Sequence, residues 1–304
     1  MIPDVGRITA EPSRFYDGGA PPPGPGQPDE PPDPETPLHI VLVRHEHGRD
    51  EDWQLRRRIA YCDRHCGELV VGEGIGDFHT DLTSVPVLFT WLVPKSGRHL
   101  PAALLHDGLV HEEGNQTYRS TEQVTVRRSG ADRIMRDAMA DSGTRIVRRW
   151  LIWAAVTTAT MITGSGTGWS WPRRAWHPVA VVGSLLAIAY LGLCASFDLL
   201  DIRVPGFLEL WWMGEERLWV ELTRGLAAAI LIPLALSLLW APHVRAGAIA
   251  GIALATLFHV TIAVAVVSAA YWVLELFGRS RLALGAVLLA IPVLSAVVLL
   301  LAWL

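Results

Sequence analysis

Three observations in the sequence predict a small soluble α+β domain, short strands first and helices afterwards, followed by an all-α transmembrane bundle. The composition changes near residue 150, from a charged, Pro-rich half to one with long apolar runs and most of the thirteen Trp. Within the first half, short β-branched runs give way to stretches of helical periodicity. Within the second half, four stretches (178–197, 224–241, 246–272 and 283–304) approach or exceed the roughly twenty apolar residues that span a bilayer. The expected boundaries are a disordered N-terminal arm over 1–37, a soluble domain over 38–164, a linker over 165–177 and a membrane domain over 178–304.

Residues 17–37 are dense in Pro and hold no aliphatic side chain larger than Ala. Such a stretch buries too little to offset its ordering entropy, so an arm is expected, with Phe15 and Tyr16 packing back on the core. The β-branched run Leu38–Arg44 predicts a strand and HGRDED a turn. The even spacing of Trp53, Leu55, Ile59 and Tyr61 predicts one strand over 53–62, and Glu68–Val71 a third. Residues 78–82 read as extended up to Pro86, which disfavours helix at the residue before it, and 87–93 as a short helix. Leu100–His111 is the strongest helix of this half, with Pro101 in its first turn. VTVRR reads as strand-like. Ile134, Met135, Ala138 and Met139 form the apolar stripe of a further helix that Gly143 stops, and Arg145–Gly164 is a helix with a basic start.

The net charge of −4 gives no basis for nucleic-acid binding. Lys95 is the only Lys, which fits the Arg-rich usage of a high-GC bacterial genome. Cys62, Cys66 and Cys194 are an odd number, which argues against a disulfide framework; Cys62 and Cys66 form either half a zinc site or a turn with free thiols. The first residues lack the basic start and apolar core of a signal peptide, so none is expected.

Three blocks carry a resemblance: Phe78, Thr80, Asp81, Leu82, Ser84, Val85 and Pro86, then Ala102 to Asp107, then Ala131 to Met139. In that order they resemble domain-of-unknown-function family 1353, short bacterial and phage proteins, over about residues 38–160. The resemblance implies a compact domain and no established activity. Val110 stands where that family has an aromatic residue.

The densest set of metal- or proton-handling side chains lies in this region. On an ideal helix Asp107 and His111 share a face, the spacing that lets two side chains grip one ion, while His106 points about a hundred degrees away. With Asp81 from an extended segment and Asp132 from a later helix, the set Asp81, His106, Asp107, His111 and Asp132 has the donors for a divalent metal (Zn, Mn or Fe) that would acidify water for hydrolysis. The same residues also read as structure: Asp81 as a cap ahead of a helix, His106 and Asp107 as a buried hydrogen-bonded pair. ALLHD further resembles HD-type phosphohydrolases, with His79, His106, Asp107 and Asp132 in order, although His79 falls in an extended segment. Arg133 and Arg136 with Asp132, Asp137 and Asp141 read as a solvated mixed-charge face, Asp132 and Arg136 standing at pair spacing.

Arg145, Arg148, Arg149, Arg173 and Arg174 precede the first span, and the acidic, Trp-rich segment 198–221 follows it. This asymmetry predicts a multi-pass protein of the bacterial cytoplasmic membrane with its N-terminal domain inside, although Arg279 and Arg281 run against it. Residues 150–164 read as an interfacial or packing helix, with a fifth span, which would invert the topology, as the alternative. Gly247, Gly251 and Ala255 form a stripe for close helix contact, and His259 is expected to hydrogen-bond between helices. The leading expectation is a membrane-tethered binding or scaffold protein that meets the lipid bilayer and a protein partner, the latter through the Pro-rich arm. The alternative is the metal-dependent hydrolase.

Overall fold

A computed structural model of the chain describes residues 14–20, 28–47, 50–72, 79–80, 96–110, 117–213 and 217–277. The expected class holds: an antiparallel α+β unit comes first and apolar helices follow. Five strands, β1 (Phe15–Asp17), β2 (Asp33–Pro37), β5 (Ile59–Asp63), β6 (Gly67–Val71) and β8 (Tyr118–Ser120), form one sheet in the order β2-β1-β5-β6-β8. Three others, β3 (Leu42–His47), β4 (Asp50–Leu55) and β7 (His79–Thr80), form a second sheet in the order β3-β4-β7.

The domain therefore starts before residue 38. Phe15 and Tyr16 alternate across β1, so Phe15 reaches the main core, its ring 4.7 Å from that of Tyr61, while Tyr16 packs with Ala60 and Val70 on the other face. Two aromatic residues on opposite faces of one strand provide the burial that the Pro-rich stretch lacks. Asp33–Pro37 then forms the outer edge of that sheet rather than part of a disordered arm. The single strand expected over 53–62 is also two strands, in different sheets. Between them, Arg57 pairs with Asp17, and the buried Arg58 donates to the carbonyls of Gly18, Ala20 and Glu30 and to Asp29. A guanidinium needs several acceptors to be buried, and this one finds them by breaking the strand. VTVRR is not a strand either. The Val124 N–H donates to Ser120 Oγ and the Val126 N–H to the Tyr118 hydroxyl, so side chains occupy donors a ladder would need. Residues 87–93 lie outside the described residues.

Helices α1 (Leu100–Leu109) and α2 (Arg128–Asp141) pack on the first sheet, and α3 (Ile146–Thr163) packs on α2. The apolar stripe of α2 is buried as its spacing predicts, and Gly143 adopts φ +72° where the helix stops. Residues Ile152, Trp153 and Ala154 of α3 belong to the domain core, and about two turns further along, Met161 packs with Val181 and Trp240 of the apolar half. Ala246, from the last described helix, also lies in the domain core. Helix α3 thus joins the two halves as a packing helix.

Helix α4 (Trp171–Leu199) starts ahead of the expected span, absorbing Arg173 and Arg174 and part of the expected linker. Charge sets where a helix leaves water, not where it begins, and Pro172 suits a first turn. It is followed by α5 (Leu218–Ser237) and α6 (Val244–Phe277). Two of these helices are long and apolar enough to cross a membrane, and α6, bent by 52° between Val260 and Ile262, makes a third if it is one span. The stretch 283–304 lies outside the described residues. Gly247 and Gly251 allow close approach: a Cβ on Gly251 would stand 2.8 Å from Pro233 Cβ and 3.0 Å from Ile188 Cδ1. His259 Nε2 lies 2.6 Å from Ser196 Oγ, the expected interhelical bond.

Candidate functional site

Helix α1 is buried on nearly all sides, so the two polar groups of its last turn must find partners inside the domain. Helix periodicity sends them apart. His106 faces α2, where its Nε2–H donates to Asp132 Oδ1 over 2.9 Å; Asp107 faces β7 and accepts from the Thr80 hydroxyl over 2.7 Å. The His106 Nδ1 is 3.9 Å from Asp107 Oδ1. His106 and Asp132 are both nearly fully buried. Burial opposes the imidazolium charge, yet the nearby Asp107 carboxylate and the hydrogen bond to Asp132 outweigh it and raise the His106 pKa to about 9. The site thus holds a protonated histidine between two carboxylates at neutral pH.

Of the candidate residues, the structure brings together His106, Asp107 and Asp132, with Thr80 beside them. Asp81 and His111 lie outside the described residues, and α1 ends at Leu109. Among the described residues, no group of three His, Cys, Asp or Glu side chains is arranged to hold a metal ion. His79 is in strand β7, whereas the HD-type pattern would have it on a helix. Cys62 and Cys66 are free thiols beside the β5–β6 turn, where Asp63 accepts the N–H groups of His65 and Cys66.

The mixed-charge face of α2 is less solvated than its composition suggests. Arg133 reaches the buried Asp63, 3.1 Å away, and Asp141 accepts the Tyr61 hydroxyl and both arms of Arg64. Burial raises the Asp63 pKa, but Arg133 and two backbone N–H groups hold it below the usual carboxylate range. These pairs tie α2 to the first sheet. Asp132, expected on that face, sits instead on the opposite, buried one, turned toward His106 of α1.

One polar cluster is not evident from the sequence. His177, near the start of α4, and His243, just before α6, pack around Trp169, with the Trp169 and His177 ring centroids 4.3 Å apart. The His243 pKa is lowered by burial and by His177, and raised in part by the field of Asp132. The free oxygen of Asp132, Oδ2, is buried without a hydrogen-bond partner, as are His177 Nδ1 and His243 Nε2. The only sequence signal was a His next to Pro at the head of two apolar runs.

Fold and site together define a class: a small antiparallel α+β domain, tied internally by His–Asp and Arg–Asp pairs and packed on apolar helices. That combination is consistent with a membrane protein that carries an uncharacterised domain. Residues 53–156 match the family described as Protein of unknown function (DUF1353). The match starts in β4 and ends in α3, so β1, β2, β3 and the apolar helices fall outside it. No curated protein and no solved structure matches the chain.

Proposed function

We propose that the chain is a membrane-mounted binding module of the bacterial inner membrane, its N-terminal domain held rigidly at the cytoplasmic face. The observation that supports this reading most is the shared core: Ala246 of α6 is fully buried among domain residues, and α3 runs from that core to Met161 against Val181 and Trp240. A domain needing only a tether would hang from a linker, whereas this one is packed on its anchor. The exposed edge strand β2, with Asp33 and Glu35 in solvent, is the surface offered to a protein partner. In this reading the His106–Asp132 pair is a structural tie. A protease site inserted in the turn at Ser165–Gly168 tests the mount. After cleavage, the domain should stay with the membranes through a high-salt wash, and its release would overturn the proposal.

The metal-dependent hydrolase fits the same residues less well, because His106 and Asp107 turn to different partners and no three His, Cys, Asp or Glu side chains among the described residues are arranged to hold an ion. Elemental analysis of the purified full chain separates the two readings. A stoichiometric divalent metal, lost in both Asp107→Ala and Asp132→Asn, would establish the hydrolase site and remove the structural reading.

A further inference from the structure

Where the domain meets the start of α6 there is a cavity of about 330 Å³ lined by Arg136, Asp137, Arg149, Trp150 and Arg245. Three guanidinium groups face it against one carboxylate. That carboxylate is already occupied, since Asp137 accepts from Arg136 over 2.8 Å and from Arg133 over 3.3 Å. Among the described residues, neither Arg149 nor Arg245 is paired with an acid, and the buried Arg149 Nε has no hydrogen-bond partner. Trp150 holds the cations in place: the Arg136 guanidinium carbon lies 5.5 Å from its ring centre and that of Arg149 6.0 Å. The cavity is thus a positively charged space, of ligand size, with forked donors left over.

Its position indicates what fills it. Arg245 is the second residue of α6, and Arg149 lies in the first turn of α3. The start of α4 lies at the same end, because the Trp176 indole N–H donates to the Leu239 carbonyl over 3.1 Å. Beside the cavity, Ile146 and Val147 are exposed apolar residues flanked by Arg145 and Arg148. Arginines alternating with exposed aliphatic residues at the ends of membrane-competent helices match the boundary between headgroups and hydrocarbon. Converging guanidiniums favour a phosphate, which has more oxygens to accept forked bonds than a carboxylate has.

We propose that the cavity formed by Arg136, Arg149, Trp150 and Arg245 binds a phosphate-bearing anion, drawn in the membrane from the headgroup of an anionic phospholipid. The lipid source rests on the membrane-mounted reading; the phosphate chemistry does not. A bound headgroup would bridge α2, α3 and α6, and so reinforce the joint between the domain and its helices.

The test uses the full chain, purified in detergent and stripped of lipid. Retention of phosphatidylglycerol and of phosphatidylcholine is measured by native mass spectrometry, and binding of inorganic phosphate by calorimetry. One phosphatidylglycerol should be retained and phosphatidylcholine should not. Arg149→Gln with Arg245→Gln should weaken retention by about tenfold or more, since each lost charged hydrogen bond is worth that much. Arg145→Gln with Arg148→Gln removes the same charge from the same end of α3 but outside the cavity, and should leave retention nearly unchanged. Arg245 is exposed, so Arg245→Gln alone should still weaken retention several-fold if the double variant misfolds. Inorganic phosphate that binds comparably, and is lost in the same variants, would make free phosphate the source and leave the site standing. Binding of neither anion, or equal weakening by the two double variants, would overturn the site. A domain that stays mounted after cleavage yet retains no anion refutes this site alone; a released domain refutes the mount alone.

Discussion

Raising the pH from about 6.5 to about 9 should remove about 3 kcal/mol of stability from the N-terminal domain, and His106 is the reason. In the folded chain this imidazole keeps its proton up to about pH 9, against an ordinary value of 6.5. Below the ordinary value both states are protonated, and the stabilisation is fully present. Between the two values the native state holds one more proton than the unfolded chain, so stability falls by about 1.4 kcal/mol per pH unit. Above about pH 9 both states are neutral and the contribution is gone. A loss of this size is a large part of the ~5–15 kcal/mol that holds a domain folded. Tyr61 and Cys66, whose values are also raised by burial, act only at or beyond the alkaline end of this window.

Pulse proteolysis of the full chain in mild detergent, across urea concentrations at a series of pH values, reads the effect directly. The urea midpoint for the domain should fall steadily from pH 6.5 to 9; below 6.5 His106 contributes no slope, and the depressed His243 makes stability rise with pH there. Asp132→Asn should destabilise the domain at pH 6.5 by about 3–5 kcal/mol, because it leaves a buried charge half-paired, and should flatten the slope. A wild-type profile that is flat over that window, or an Asp132→Asn profile parallel to it, would refute the assignment of His106 as a buried cation.

Three further outcomes follow from the packing. Arg58→Met should destabilise the domain by about 3 kcal/mol or more, by orphaning the carbonyls of Gly18, Ala20 and Glu30, and should expose residues 14–37 to protease; unchanged protection would show that the strand break does not depend on this guanidinium. Gly251→Leu should push α6 off Pro233 and Ile188, at a cost of about 1–3 kcal/mol, and lower the disulfide yield of a Ser196→Cys, His259→Cys pair; an equal yield would contradict the close contact. For topology, a membrane-impermeant maleimide on intact cells should label Glu209→Cys, while the exposed Cys62 of the domain stays unlabelled. Labelling of Cys62 would invert the orientation.

Local pattern carried the helices well. Period-3.6 burial over 131–139, a glycine stop at Gly143 and long apolar runs depend on residues close in sequence, so α2, α3 and the apolar helices were readable with small shifts at their ends. The strands were less readable because their partners are distant. Phe15–Asp17 is three residues long and pairs with β5, more than forty residues away, while Arg58 splits an apparently continuous strand for acceptors supplied by the N-terminal segment. The candidate site divides in the same way. That His106 and Asp107 point apart followed from helix geometry alone. That His106 would meet Asp132, and Asp107 meet Thr80, depended on how α1 sits between α2 and β7.

Periodicity and composition suffice to place an α+β domain ahead of apolar helices, to say which residues of α2 face inward, and to show basic side chains gathered before the first span. Each is a matter of periodicity or composition, and both act locally. Packing settles what local pattern does not: that the polar residues of α1 form ties inside the domain, that His177 and His243 meet at its base, and that Arg245 joins Arg136 and Arg149 of α2 and α3 at one cavity. Charges spaced along a sequence do not interact until packing brings them within a few ångströms and out of water, and only the fold sets that distance.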